Sequence, residues 1–352
     1  MSGDYENKMR EAIRNNIDSD LRAKDIGGQV FDKKKLAAEV RKLSKVSTFH
    51  SLLAILNQWL IIIAAATVAI WSEHWAVYLI AMIIIASRQH AFGILIHDAC
   101  HYRLFPNRVA NDMITNILVS FHLGMSTSLY RKWHYPHHRY VNTEQDPEVM
   151  GEKGSPDIWR WPNTKLHMFK IFLKDALGFN IPQMTSMIGL WSPWSRIHIP
   201  SKDPGGIPVR EKVALVIFTV TGISTLVYFG LVVDYLLLWI LPSLTFLNIF
   251  FKFRSFAEHK AVVNENELNN TRTVTSNWLE SFWLAPCNVG YHLEHHLFPS
   301  VPFYNLPKLH RLLMEDPLFQ KQAHLSNSYL GLSNGVLGEL TTVDENTLVG
   351  AT

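Results

Sequence analysis

The residues able to do chemistry in this chain are histidines. Three five-residue stretches, His97-Asp-Ala-Cys-His101, His134-Tyr-Pro-His137-His138 and His292-Leu-Glu-His295-His296, hold eight of its seventeen histidines. Residues three and four apart share one face of a helix. The first stretch therefore aims two imidazoles one way. The third aims three, with Glu294 on the opposite side. The middle stretch has the same H-x-x-H-H spacing, and Pro136 predicts that its helix begins near that residue, with His134 just before it. Neutral imidazole is the commonest metal ligand. Eight of them exceed what one four-coordinate zinc uses, which points to two metals or one crowded shell. Clustered imidazoles would repel if protonated and lack partners if buried, and a shared metal removes both problems.

The other histidines read differently. His50, His74, His90, His167, His198, His310 and His324 are expected to be surface or hydrogen-bonded core residues, and His122 a core residue. Asp98 and Glu294 are candidates to orient ligand imidazoles; Asp146 is expected to be ordinary surface charge.

These side chains need elements to carry them. The chain has 352 residues, is 48% hydrophobic and includes eleven Trp and nineteen Phe, yet its mean hydropathy is only +0.04. That suits a membrane protein with large polar parts. A net charge of +3 without a basic aromatic stripe argues against nucleic acid. Two cysteines, Cys100 and Cys287, make neither a disulfide framework nor an iron–sulfur cluster, and are expected to be reduced thiols.

Residues 1–50 carry eleven Lys or Arg and no apolar run of signal-peptide type. They are expected to form a tail, with a weak helix over 33–45 either on the membrane surface or in solvent. Leu52–Trp71 and Trp75–Ala86 are apolar runs joined by Ser72-Glu73-His74. The second continues through Arg88, expected near the interface, to His97, as one long helix. Residues 109–129 are amphipathic and expected on the membrane surface, and 166–177 resemble an interfacial helix. Loops are expected at 146–148, 154–156 and 204–206. Val213–Val233 and Tyr235–Phe253 form a second apolar pair split by Asp234. It leads to His259, a ninth ligand candidate. The links between paired runs lack Lys and Arg while the box regions are rich in them, so the positive-inside rule puts the termini and every box in the cytoplasm. The expected fold is an all-α integral membrane protein with four transmembrane helices in two hairpins and a cytoplasmic helical cap. Its expected divisions are 1–50 tail, 51–313 catalytic domain and 314–352 tail.

H-D-A-C-H, H-Y-P-H-H and Y-H-L-E-H-H-L-F-P in this order, with R-S-F-A-E-H between the second and third, resemble the membrane-bound fatty acid desaturase superfamily, which includes hydroxylases and carotenoid ketolases. The resemblance spans roughly Arg88 to Leu313. It implies a di-iron centre that activates O2 to remove hydrogen from an unactivated C–H bond of a fatty acyl or similar lipid chain. The implied ligands are His97, His101, His134, His137, His138, His292, His295 and His296, with His259 matching a further family histidine. Three residues between the histidines of the first box, rather than four, set the chain apart from stearoyl-type acyl-CoA desaturases. The implied site lies on the cytoplasmic side of a bacterial inner membrane or the endoplasmic reticulum.

Iron with O2 supplies the oxidant that acid–base residues cannot, and imidazole suits iron. No dinucleotide fingerprint, haem motif or cluster cysteines occur, so electrons are expected from a separate ferredoxin, rubredoxin or cytochrome. Desaturase, hydroxylase and ketolase share these boxes. A zinc-dependent membrane hydrolase is a second enzyme reading, and a metal transporter a third. Transporters place ligands inside their spans, whereas these boxes lie outside the apolar runs. Phe92, Leu95, Phe250 and Phe253 are expected to serve helix packing, or alternatively to line a narrow tunnel for the substrate chain.

Overall fold

Glu73 (φ 51°) and Gly230 (φ 68°) lie just past the ends of two long apolar helices, in the left-handed region where only glycine escapes a steric cost. The computed structural model describes residues 25–26, 29–153, 156–159, 163–200, 202, 205–332 and 335–341. Most of the expected N-terminal tail, the loop residues 154–155 and 204, and the chain beyond 341 lie outside the described residues. Among the described residues the chain is mostly helical. Its strands are two short pairs, Asp25–Ile26 with Gln29–Val30 and Thr273–Val274 with Leu325–Ser326.

The helices used below are α1 (Lys33–Leu43), α2 (Thr48–Ser72), α3 (Trp75–Cys100), α4 (Thr127–Tyr140), α5 (Val209–Tyr228), α6 (Phe246–His259), α7 (His292–Leu297) and α8 (Val336–Thr341). Four helical stretches are long and apolar enough to cross a membrane: Thr48–Ser72, Trp75–Cys100, Val209–Tyr228 and Val232–His259. The last includes α6. The chain divides into two compact units.

One unit comprises Val46–Lys132 and Lys174–Phe251. In it α2 exposes Leu53, Leu56, Leu60 and Ile63 and buries Ile55, Ile62 and Ala69. A helix in water would not turn that many large aliphatics outward. By contrast α3 is buried at every residue from Ile85 to Cys100. It runs unbroken into the first box, as its sequence predicts. Arg88, expected near the interface, is 2% exposed and donates to Gln58 Oε1 (3.2 Å) and Ser87 Oγ (2.6 Å), side-chain partners that a buried charge requires. The break between the third and fourth spans also differs from expectation. It falls at Phe229–Leu231, where Gly230 turns the chain, while Asp234 lies inside the fourth span and accepts from Tyr78 Oη at 2.8 Å. His122 packs edge-on to Trp59 and Phe218, at 4.6 and 4.7 Å between ring centroids, and burial lowers its pKa to about 4. It is the core residue its surroundings predict.

The other unit comprises Met1–Lys45, Trp133–Leu173 and Lys252–Thr352. Here α1 is capped by Asp32 and held by Lys33 to Glu267 (3.0 Å), Asn305 Nδ2 to Leu43 O (2.8 Å) and a Ser44–Ser300 hydroxyl pair (3.0 Å).

Pro136 does not start a helix: α4 runs through it from Thr127. An interior proline forfeits the bond from its own nitrogen, here to Lys132 O, at about 3 kcal/mol. Both flanks are anchored. Arg131 donates to Asp112 (2.5 and 3.0 Å) and Cys100 O (2.6 Å) before it, and His137 binds Asp146 after it. His134 and His138 thus sit one turn apart on a continuous helix.

Candidate metal centre

Entry into α7 is tight. Cys287 (φ 54°) and Asn288 (φ 56°) are left-handed, and Val274 N donates to Gly290 O at 2.7 Å. A Cβ on Gly290 would stand 2.5 Å from Val274 O, so no other residue fits there unmoved. The turn delivers His292, His295 and His296 on one short helix. Glu294, on its other side, accepts from Thr273 Oγ1 (2.6 Å) and His310 Nδ1 (2.6 Å). It anchors the helix and does not orient a ligand imidazole.

Within this unit the box histidines form two sets. His137, His259, His292 and His296 present ring nitrogens that all lie within 4.8 Å of one another, a set able to hold a metal ion. His134, His138 and His295 form the second set, with nitrogens inside the same limit. His97 and His101, 3% and 7% exposed, lie in the other unit with ring centroids 5.5 Å apart.

The nitrogen spacing tests whether a metal fits. Nε2 of His259 and His292 are 3.0 Å apart, those of His134 and His138 2.8 Å, and those of His138 and His295 3.2 Å. Ligands about 2.1 Å from one ion are about 3.0 Å apart at a right angle and about 3.4 Å apart at the tetrahedral angle. The observed spacings of 2.8 to 3.2 Å are close enough for neighbouring nitrogens to share one ion. Furthermore, His259 Nδ1 and His296 Nε2 are buried with no hydrogen-bond partner among the described residues, a state that is costly unless something else binds there.

Electrostatics separates the two sets. Burial holds His138 well below its usual pKa, and neighbouring imidazoles add to this. His292 and His296 are lowered for the same two reasons, His292 with help from Arg254. These rings are neutral and have a lone pair to offer. For His137 burial also opposes charge, but Glu148 and Asp146 outweigh it and raise the pKa to about 9. Asp146, 1% exposed, accepts from His137 Nδ1 with both oxygens (2.9 and 3.0 Å). The surface charge expected there is instead an orienting carboxylate. Glu148 Oε2 stands 4.0 Å from both His137 Nδ1 and His259 Nε2, and Glu258 Oε1 stands 3.4 Å from His292 Nδ1. In the other unit Asp98 is 4.0 Å from His97 Nδ1, too far for a hydrogen bond.

Sequence reasoning missed Asn142. In a left-handed conformation (φ 55°), it donates from its backbone to Asp146 Oδ2 (2.9 Å) and from Nδ2 to Asn270 O (2.6 Å), with His259 O at 3.4 Å. Asparagine is among the few residues that accept this conformation, and it was the available signal. Asp146 followed by Pro147 is also an N-cap signature, and Asp146 does accept from Glu148 N at 2.9 Å.

The profile of a family described as fatty acid desaturase matches residues 73–327. Over 267 residues the chain is 28% identical to the dihydrorhizobitoxine desaturase of Bradyrhizobium elkanii, covering 74% of this chain and 75% of that protein. It is 21% identical over 262 residues to the sn-1 oleoyl-lipid 12-desaturase of Anabaena variabilis, covering 69% and 70%. A ceramide hydroxylase of Caulobacter vibrioides is 27% identical over 171 residues, covering 46% and 41%.

Proposed function

The chain belongs to the fatty acid desaturase family, and from that premise we propose a membrane-bound di-iron oxidoreductase that uses O2 and an external electron donor to desaturate a fatty acyl or similar lipid chain. That it is an oxidoreductase and a membrane protein follows from the family and the four candidate spans. The finer reading rests above all on one observation, the close spacing of ring nitrogens in two neighbouring histidine sets. The proposed ligands are His97, His101, His134, His137, His138, His259, His292, His295 and His296. His97 and His101 are assigned on their match to the first family box. The proposed topology is two hairpins with the termini and a helical cap in the cytoplasm, which the Lys/Arg bias supports.

When bound, the irons with O2 supply the oxidising power to break an unactivated C–H bond. The protein's part is to hold the site. His138, His292 and His296, with pKa values lowered by their surroundings, stay neutral and present lone pairs. Asp146 fixes the His137 ring through Nδ1 and leaves Nε2 facing the set. Burial keeps water from competing for these nitrogens. In the overall balance the acyl chain loses two hydrogens, and O2 takes up these with two electrons and two protons to give two waters. No electron carrier is encoded in the motifs, so the proposed donor is a separate ferredoxin, rubredoxin or cytochrome. The acyl substrate is supported by the Anabaena relative, whose name specifies an oleoyl lipid, and by the outward aliphatics of α2. The ceramide hydroxylase relative favours a second reading on the same site, insertion of one oxygen.

The test supplies purified protein with O2, a reductase chain and candidate lipids. Products two hydrogens lighter support the desaturase, and products one oxygen heavier the hydroxylase. About two irons per chain are expected; a single tight zinc after iron-replete expression would sink the reading in favour of a hydrolase. For the topology, single cysteines near Glu73 and near Asn142 should be labelled from opposite sides of the membrane. Labelling of both from one side would overturn the two-hairpin arrangement.

A further inference from the structure

Arg272 is fully buried, and its hydrogen bonds converge on the turn that presents His259. Its Nη1 donates to Ala257 O (2.5 Å) and its Nη2 to Lys260 O (3.0 Å) and Ala261 O (2.9 Å). Its backbone N donates to Glu258 O at 3.1 Å. A helix end leaves such carbonyls without intrahelical partners. One residue collects those on both sides of His259, where Ala261 (φ 52°) turns the chain away.

A buried guanidinium needs a counter-charge. The carboxylate paired with it is Glu339 of α8, whose Oε2 lies 3.0 Å from Nε and 2.8 Å from Nη2. Glu339 is itself aimed by His324 Nε2 (2.8 Å) and Ser326 Oγ (2.5 Å). Ser326, His324 and α8 are thereby tied to the backbone on either side of a proposed metal ligand.

We propose that Glu339 is a positioning residue for the metal centre: through Arg272 it fixes the turn carrying His259. This rests on the metal-centre reading above. Without the Glu339 charge, Arg272 holds a buried charge with no counter-ion and lets go of carbonyls to find one. The turn then loosens, and His259 Nε2 is no longer kept 3.0 Å from His292 Nε2.

The full-length chain, stripped of metal and loaded with Co2+, provides the test. Wild type should bind two ions, and His259→Ala should bind one of them poorly. Glu339→Gln should release one ion to a chelator roughly tenfold or more faster, the size of effect expected of an outer partner, and shift that ion's visible absorption as His259→Ala does. Ser326→Ala, which removes one donor to Glu339 but spares the Arg272 pair, should release both ions at the wild-type rate. Wild-type behaviour of Glu339→Gln, or equal acceleration by Ser326→Ala, overturns the proposal. Failure of wild type to bind two ions overturns the reading beneath it. If Glu339→Gln does not fold, Arg272→Lys, which keeps a charge beside Glu339 but reaches fewer carbonyls, is read the same way.

Discussion

His137 and His138 are neighbours in sequence on one helix, yet their surroundings push them in opposite directions. His137 faces Asp146, Glu148 and Glu258, and its pKa rises to about 9. The charges acting on His138 are those of other imidazoles, and its pKa falls. The contrast extends to the two sets they belong to. One is backed by carboxylates at 2.9 to 4.0 Å. The other is joined ring to ring, with Nε2 spacings of 2.8 and 3.2 Å. A carboxylate behind an imidazole fixes its tautomer and makes it a stronger donor. Two metals of one kind would therefore sit in unlike fields, the carboxylate-backed ion held the more firmly.

Removing one ligand from each set is the largest test of that comparison. If the proposed two-ion centre does the chemistry, His292→Ala and His295→Ala should each abolish turnover and leave the protein in the membrane. They should differ in which metal is lost, and the ion remaining in His295→Ala should resist a chelator longer. Equal resistance in the two variants would break the distinction between the sets. Asp146→Asn comes next. It keeps size and one acceptor but loses the charge behind His137. Metal affinity of that set should fall about 10–100-fold while the other ion is retained as in wild type. Equal loss of both ions would show that Asp146 shapes the fold and not one set.

What the sequence announced and what it hid divide along physical lines. Helical spacing within a box is local, so the grouping of His292, His295 and His296 on one face was readable from three letters and a period. The long apolar runs were equally readable, because crossing a membrane demands them. Pro136 does not start the helix because its local cost is offset by anchors on both flanks: Arg131, whose partners Asp112 and Cys100 lie 19 and 31 residues away, and Asp146, which holds His137. Asp234 misled because a charge looks like a break, whereas Gly230 carries the backbone conformation that makes one. Asp146 lies nine residues from His137 and was mistaken for surface charge. Arg272 and Glu339 are 67 residues apart, and no period or motif links them. The local half of the site is written in its spacing, and the half that orients it is set by packing.

The smallest effect is on stability, and its sign follows from Glu339. Burial works against its charge, but the hydrogen bond from His324, the Arg272 guanidinium and the Ser326 hydroxyl outweigh it. The carboxyl is held at about 2, below its usual 4.5. A group whose pKa is depressed by folding stabilises the fold when ionised in both states and stops doing so once it is protonated in both. The contribution is therefore complete above about pH 4.5 and gone by about pH 2. Thermal unfolding of wild type and Glu339→Gln should be compared in metal-free protein across this range, which removes the metal from the balance. Wild type should unfold at the higher temperature near neutral pH, and the gap should shrink steadily below about pH 4.5. A gap that stays constant down to pH 2 would mean that the Glu339 charge does not stabilise the fold through Arg272 and His324.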